Sequence, residues 1–172
     1  MPCISDPGFP LVREALAVGC EVTAVPGPSA VLTALVVSGL PTNAFHFVGF
    51  LPRRVTERRK RLEELSGQPD TLVCFEAPHR LLRTLHDLAA TFGTERPIAV
   101  ARELTKRFEE VVRGTVEEAI THFEAQRPRG EFTLVVRGAY EEKSDGPSPE
   151  NEMSVAVPNL PRRGARLPKG LP

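Results

Sequence analysis

The stretch that most constrains the fold is TLVCFEAPHR, at residues 71–80. It begins with a short apolar run of the kind that forms a buried strand. The run stops at Glu76 and Pro78, and a helical pattern then begins. In open α/β sheets, ligands bind in the crevice outside the carboxyl ends of the strands. The stretch therefore predicts either a ligand-facing strand end or a plain strand-to-helix turn that Pro78 opens.

The composition limits the class of protein. The chain has 172 residues, of which 41% are hydrophobic, enough for one full domain or for one domain and a fragment. Its 22 basic residues balance 22 acidic residues, so nucleic-acid binding would need a local basic patch. Three widely spaced cysteines form no CxxC pair, which favours a reducing cytosol. No apolar run is long enough to span a membrane, and no signal peptide is evident.

Apolar periodicity, glycines and prolines predict the order of elements. Helices are predicted at 9–18, 30–38, 53–65, 79–92 and 116–123, and strands at 21–25, 45–50, 71–75, 97–101, 108–113 and 132–136. Ser5 and Asp6 are candidate caps for the first helix.

We interpret this order as an α/β protein with three parts. Residues 1–41 are predicted to be a remnant, the C-terminal part of a parallel-sheet first domain, because one strand cannot form a sheet alone. Residues 42–140 are predicted to form a complete second α/β domain with a mixed sheet. The proline-rich tail at 141–172 is predicted to be disordered.

Four turns are candidates for a site: PGPSA at 26–30, FEAPHR at 75–80, ARELTKRFEE at 101–110 and RGEF at 129–132. The first three lie at or just after predicted strand ends, and RGEF precedes a strand. The amides of Ser29 and Ala30 could face a ligand from a helix N-terminus, or Ser29 could be only a cap. The mixed charges of ARELTKRFEE indicate either a polar cleft or a surface lattice of ion pairs.

Several common chemistries have no motif here. The chain has no GxGxxG, GxxxxGK[ST], GxSxG or HExxH segment. Its four histidines and three cysteines show no spacing typical of a zinc site, so we predict no metal. Nothing in the sequence indicates covalent catalysis.

Five segments, in order, resemble the bacterial ribosomal RNA small subunit methyltransferase I family of the tetrapyrrole-methylase class. They are ISDPGFPLVREA, VPGPSAVLTALVVSGLPTNAFHFVGFLPRR, TLVCFEAPHRLL, ARELTKRFEEVVRGT and RGEFTLVVRG, and they extend from about Cys3 to Gly138. The resemblance implies two α/β domains with the methyl donor S-adenosylmethionine between them. It also implies methyl transfer to the ribose 2′-oxygen of a cytidine in small-subunit rRNA. It further implies a cytoplasmic homodimer that acts without metal on rRNA or the 30S subunit.

The resemblance also implies site residues. The predicted donor contacts are Pro26, Gly27, Pro28, Ser29, Ala30, Glu76, Ala77, Leu104 and Thr105. The predicted catalytic residues are Glu76, Glu103 and Arg80, and Arg102 and Lys106 are predicted substrate contacts. Arg58 and Arg59 are also predicted substrate contacts, because of the charge of the basic helix at 53–61 rather than the resemblance. A ribose hydroxyl needs a proton acceptor during transfer, and Glu76, Glu103 and Glu109 all remain open for that role.

The sequence departs from the family at its start. The family has an N-terminal strand, a glycine-containing loop and a Ser-Asp-Ala-Gly-Thr-Pro type of segment, and Met1 stands at that segment's threonine. We therefore expect a truncated member with exposed apolar helices at 11–18 and 32–37 and little activity alone. One alternative is a non-catalytic RNA- or protein-interaction module that uses the basic helix at 53–61. Another is a pseudogene product without function.

Overall fold

Five strands form one mixed sheet in a computed structural model that describes residues 1–139. The strands are β1 (Phe45–Phe50), β2 (Thr71–Glu76), β3 (Pro97–Arg102), β4 (Glu110–Thr115) and β5 (Phe132–Val136). The helices are α1 (Phe9–Ala17), α2 (Ala30–Ser38), α3 (Val55–Leu65), α4 (Leu81–Phe92) and α5 (Val116–Ala125). The sheet order is β1-β2-β5-β3-β4, which confirms the predicted α/β fold with a mixed sheet.

The strand register gathers several strand ends at one edge of the sheet. β1 and β2 are parallel, whereas β5 runs antiparallel between β2 and β3, and β4 runs antiparallel to β3. Phe132, the first residue of β5, is opposite both Glu76 and Arg102, and Arg102 is also opposite Glu110. The carboxyl ends of β2 and β3 therefore meet the amino ends of β4 and β5.

Alternating side chains give the sheet two apolar faces, as the two-residue period of a strand requires. On one face Leu72, Cys74 and Leu134 pack in a core that α3, α4 and α5 complete. On the other face, Val73 and Val135 pack against α2. The three central strands are thus buried on both sides, which explains their nearly continuous apolar sequences.

Helix α2 is fixed to the sheet by one face and by its C-terminal end. Ala34 and Leu35 are buried in the contact with the sheet. The guanidinium of Arg113 on β4 donates two hydrogen bonds to the carbonyl of Val37 (2.8 and 2.5 Å). The opposite side of the helix is open, since Leu32 and Val36 are 52% and 75% exposed.

The start of the chain corrects two predictions. Residues 21–25, predicted as a strand, have no regular structure, because within residues 1–139 no strand lies beside them to pair their backbone groups. The N-cap of α1 is Gly8, with no side-chain cap bond, so neither Ser5 nor Asp6 caps that helix. Helix α1 buries no residue and exposes Leu11 and Leu16, which agrees with the expected exposure of its apolar side.

Three elements also begin later than predicted. α3 begins at Val55 rather than Arg53. α4 begins at Leu81 rather than His79, because residues 77–80 form a turn in which the Arg80 amide donates a hydrogen bond to the carbonyl of Ala77. β4 begins at Glu110 rather than Phe108, since residues 103–109 form two successive turns. The predicted domain boundary at residues 41 and 42 stays a prediction, and the tail at 141–172 lies outside the described residues.

Two arginines of α3 hold one carboxylate of α4. Arg58 donates through Nε to Oδ2 of Asp87 (2.7 Å), and its Nη2 lies 2.6 Å from the same oxygen. Arg59 donates through Nε to Oδ1 (2.7 Å). The side chains of Arg58 and Asp87 are only 3% and 4% exposed. This corrects the expectation that Arg58 faces a substrate, because its guanidinium is enclosed and paired.

The same cluster fixes the ionisation of Asp87. Burial raises the pKa of the Asp87 carboxyl, but hydrogen bonds from Arg59 and Arg58 and their charges outweigh burial and lower the pKa overall. Asp87 is therefore ionised at neutral pH.

Among residues 1–139, no helix is both long and apolar enough to cross a membrane.

We predict that Asp87→Ala lowers the free energy of unfolding by about 3–5 kcal/mol, because it leaves Arg58 buried without a counter-charge. The control is Glu57→Ala, which breaks the exposed pair between Arg54 and Glu57 and should cost less than about 1 kcal/mol. Urea denaturation at pH 7 measures both.

The pH dependence gives a second check on Asp87. A carboxyl with a lowered folded-state pKa stabilises the fold at every pH above its unfolded pKa. That contribution should disappear as the pH falls from the unfolded value through the lower folded value. Equal losses for Asp87→Ala and Glu57→Ala at pH 7 would contradict the role we assign to Asp87.

Candidate functional site

A cleft of about 580 Å³ lies at the edge where the strand ends meet. It is bounded by the residues after β2, the loop after β3, the start of β5, the N-terminus of α2 and the first residues of the chain. Its lining residues are Met1, Ile4, Ser5, Asp6, Ala30, Phe50, Phe75, Glu76, Ala77, Pro78, His79, Ala101, Glu103, Leu104, Lys106, Glu131, Phe132 and Thr133. The structure thus brings together parts of all four turns that the sequence singled out.

Glu76 and Arg80 organise the wall that follows β2. The Glu76 side chain is fully buried, accepts hydrogen bonds from the Thr84 hydroxyl (2.5 Å) and the Ala77 amide (2.8 Å), and lies 3.2 Å from Nε of Arg80. Nη2 of Arg80 donates to the carbonyls of Leu51 (2.8 Å) and Pro52 (3.1 Å). This pair therefore joins the segments after β1 and β2 and holds the cleft wall in place.

The loop after β3 brings a second carboxylate into the cleft. Oε1 of Glu103 accepts from Nζ of Lys106 (3.3 Å) and from the amide of Glu131 (3.4 Å). The pKa of Glu103 is lowered, and the hydrogen bond from Lys106 is the largest cause. The hydrogen bond from the Glu131 amide and the charges of Lys106 and Arg102 lower it further. Its side chain is 22% exposed, so an ionised carboxylate is accessible from the cleft.

Backbone conformation also marks this cleft. Within residues 1–139, four non-glycine residues have positive φ: Cys3, Ser5, Glu103 and Thr105. All four lie in two segments that line the cleft, the first residues of the chain and the loop after β3. Such conformations are costly for residues with a Cβ, and they concentrate at functional sites.

Gly130, in the RGEF turn, makes room for Glu103. A Cβ at this position would lie 2.6 Å from Oε1 and 2.8 Å from Cγ of Glu103, and the φ of Gly130 is +84°. The backbone conformation therefore favours glycine here, and any side chain would displace the Glu103 carboxylate. The RGEF turn is recognisable in the sequence, but the contact of its glycine with Glu103 is not.

The PGPSA turn contributes less than expected. Ser29 is the N-cap of α2, and its hydroxyl accepts a 3.4 Å hydrogen bond from the Leu32 amide. Of the predicted donor contacts in this turn, Ala30 lines the cleft, whereas Pro26, Gly27, Pro28 and Ser29 are outside its lining.

The other predicted site residues fall into three groups. Glu76, Ala77, Leu104 and Lys106 line the cleft with Glu103. Arg80, Arg102 and Thr105 lie beside the lining: Arg102 pairs with Glu110 (2.7 Å), and the Thr105 amide donates to Glu109 (2.6 Å). Arg58 and Arg59 belong to the Asp87 cluster and line no part of the cleft.

Phe50, 54% exposed at the end of β1, is a lining residue that none of the four candidate turns contained. His79 and Phe132 also line the cleft, and they lie in the FEAPHR and RGEF turns that the sequence singled out. A signal was available for Phe50, since it ends a predicted strand whose carboxyl end should point to the same edge.

Within residues 1–139, no group of three or more His, Cys, Asp or Glu side chains is arranged to hold a metal ion.

Solved structures show which class of fold this is. The chain matches the crystal structure of the methyltransferase CobJ with a TM-score of 0.56 and 19% identity, over 76% of this chain and 59% of that one. It matches cobalt precorrin-4 methyltransferase CbiF with a TM-score of 0.55 and 15% identity, over 75% and 59%. The fold is thus that of the tetrapyrrole-methylase class, as the sequence predicted.

The chain belongs to the tetrapyrrole (corrin/porphyrin) methylase family, whose profile matches residues 1–120. Among curated relatives it is similar to ribosomal RNA small subunit methyltransferase I of Xylella fastidiosa strain Temecula1, with 54% identity over 80% of this chain and 51% of the relative. Proteins of that name from Halalkalibacterium halodurans and Bacillus subtilis strain 168 are 48% and 46% identical. The chain spans about half the length of these relatives.

We predict that Gly130→Ala moves the Glu103 carboxylate away from Lys106 and the Glu131 amide, so the pKa of Glu103 rises toward its ordinary value. Gly39→Ala is the control, because Gly39 also has positive φ (+77°) but a Cβ there would meet no atom within 4 Å. Both changes should cost roughly 1–2 kcal/mol of stability through backbone strain. NMR titration of Glu103 that gives the same pKa in both variants would contradict the prediction.

We also predict that Cys74 resists alkylation in the folded protein. Burial, followed by the charge of Glu76, raises the pKa of the Cys74 thiol to about 12, so at pH 8 roughly one molecule in ten thousand carries the reactive thiolate. The exposed Cys20 is the internal control. Iodoacetamide followed by mass spectrometry should label Cys20 first and Cys74 only after unfolding; equal native rates would contradict this prediction.

Proposed function

We propose that this chain takes part in S-adenosylmethionine-dependent methylation of small-subunit rRNA, at the 2′-oxygen of a cytidine ribose. The observation that carries the proposal is the cleft at the strand ends, which unites the FEAPHR, ARELTK and RGEF segments in a member of the tetrapyrrole methylase family. The names of the relatives, all ribosomal RNA small subunit methyltransferase I, support the choice of substrate.

The cleft has the size and chemistry that the donor requires. Its volume lies within the range of small-molecule sites, about 300–1,000 Å³. Phe50, Phe75 and Leu104 offer apolar surface to an adenine ring, and the ionised Glu103 offers a negative charge to a cationic sulfonium. When bound, the donor supplies the methyl group; the residues of this chain hold it and exclude water.

Glu103 is the best of the three proton acceptors that the sequence left open. The Glu76 carboxylate is fully buried and already accepts from Thr84 and Ala77. Glu109 accepts from the Thr105 amide and is outside the cleft lining. Glu103 lines the cleft and is partly exposed, so its carboxylate is accessible to a ribose hydroxyl and can accept the proton that the hydroxyl releases. Arg80 acts as a positioning residue.

The alternative of a binding module built on α3 has less support. Its predicted basic patch is the helix at 53–61, whose six cations are Arg53, Arg54, Arg58, Arg59, Lys60 and Arg61. In the described part of the chain, Arg54, Arg58, Arg59 and Arg61 all form ion pairs with carboxylates. Their positive charge is therefore largely compensated and offers little to a phosphate backbone.

We further propose that the protein works as a cytoplasmic homodimer. Support for association comes from the apolar side chains that α1 and α2 leave open, such as Leu11 (75% exposed) and Val36 (75%). Light scattering coupled to size exclusion measures the oligomeric state, and a monomer at micromolar concentration would contradict this part of the proposal.

Calorimetric titration of S-adenosylmethionine into the 172-residue chain tests the function. We expect binding in the micromolar range. Ala30→Trp should weaken binding by at least about tenfold, which corresponds to about 1.4 kcal/mol, because Ala30 is an exposed residue at the cleft and the indole would occupy donor space.

Ala90→Trp is the matched control, since Ala90 is an exposed residue of α4 outside the cleft lining. It should bind the donor as the unmodified chain does. No binding by the folded chain, or equal binding by the two tryptophan variants, would contradict the proposed site.

A further inference from the structure

A second cavity, of about 450 Å³, opens next to the cleft. We call it the arginine pocket, and its lining residues are Arg102, Glu103, Phe108, Arg127, Arg129 and Gly130. Glu103 lines both the arginine pocket and the cleft. A long molecule with one reactive group in the cleft could therefore extend past Glu103 into the pocket.

The arginine pocket carries positive charge that the described part of the chain does not neutralise. Arg102 pairs with Glu110, and Glu103 pairs with Lys106, so these charges cancel locally. Within residues 1–139, the side chains of Arg127 and Arg129 have no ion pair and no hydrogen bond. A chain with zero net charge thus places two free cations in one concave surface, which favours an anionic ligand.

Phe108 gives the arginine pocket an exposed aromatic surface. Its ring is 68% exposed, and the Arg107 guanidinium lies 5.6 Å from the ring centroid. An exposed aromatic ring beside free arginines is typical of surfaces that bind single-stranded nucleic acid, where bases stack on the ring and phosphates contact the cations. An acidic peptide would use the arginines but would gain much less from the ring.

We propose that the arginine pocket binds the single-stranded RNA that flanks the methylated nucleotide. Arg127 and Arg129 contact backbone phosphates, and one base stacks on Phe108. The target ribose then enters the cleft past Glu103. This inference rests on the proposed function, because it assigns the substrate strand to a surface next to the donor cleft.

Fluorescence anisotropy with a labelled single-stranded RNA of about 12 nucleotides tests the proposal, using the full 172-residue chain from about 50 to 300 mM KCl. Arg127→Gln/Arg129→Gln removes two phosphate contacts, so the slope of log K against log salt should fall by about 1.4. Phe108→Leu should weaken binding roughly 5- to 150-fold, the loss of one stacked base, and should leave the slope unchanged.

Arg13→Gln/Arg83→Gln is the matched control, because it removes the same charge from exposed residues outside both cavities. Equal effects of the two double variants, no effect of Phe108→Leu, or no RNA binding at all would each overturn the proposal. Competition by polyglutamate as effective as that by unlabelled RNA would also overturn it and would favour an acidic protein partner.

Donor titration of the same variants separates this inference from the proposed function. Circular dichroism should show unchanged folding, since Phe108, Arg127 and Arg129 are exposed. The pocket variants should bind S-adenosylmethionine like the unmodified chain. If the chain binds the donor but the pocket variants bind RNA as tightly as the unmodified chain, the inference alone is refuted. If the pocket variants weaken RNA binding but the chain does not bind the donor, the proposed function alone is refuted.

Discussion

The architecture depends on the insertion of β5, antiparallel, between β2 and β3. All five residues of β5 are buried, and its backbone pairs with both neighbours. The antiparallel direction matters for the site, because it brings the turn before β5 to the edge where β2 and β3 end. With β5 parallel instead, the residues before it would lie at the opposite edge of the sheet, and Gly130 would be far from Glu103.

A rigid sheet edge makes the unusual loop conformations at the cleft possible. Positive φ at Glu103 and Thr105 has a free-energy cost, and such conformations persist only where the surroundings fix them. Here Leu104 packs against the core shared with α2, while Glu109 accepts from the Thr105 amide. The apolar contact and the hydrogen bond together hold the backbone of the loop that carries Glu103.

Much of the fold could be predicted because the relevant signals are local. The continuous apolar run Leu72, Val73 and Cys74 indicates a strand buried on both faces, and Gly39 and Gly93 mark where helices end. The four candidate turns were also recognisable from their residues. What could not be read locally is the pairing: nothing in RGEF itself tells that its glycine faces the carboxylate of a residue in a distant loop.

The basic helix shows the same limit for charge. A run rich in arginine looks like a surface for phosphates, yet Arg58 points into the protein because Asp87, 29 residues later, lies opposite it in the fold. Arg127 attracts no notice in the sequence, and Arg129 enters only as part of the RGEF turn. Within the described residues, these two arginines remain unpaired at a cavity. Binding potential therefore follows from which charges the fold leaves uncompensated.

The segment at 20–29 illustrates why propensity alone does not make a strand. Val22 and Val25 are β-prone residues, and both are exposed in a segment without regular structure. A strand is stabilised by hydrogen bonds to a neighbour and by burial of one face, and in the described chain this segment has neither. Helix α2, directly after it, forms regardless, because its hydrogen bonds are internal and the sheet covers its apolar face. The two adjacent segments thus differ because a strand needs a neighbouring strand for its hydrogen bonds, whereas a helix forms its own.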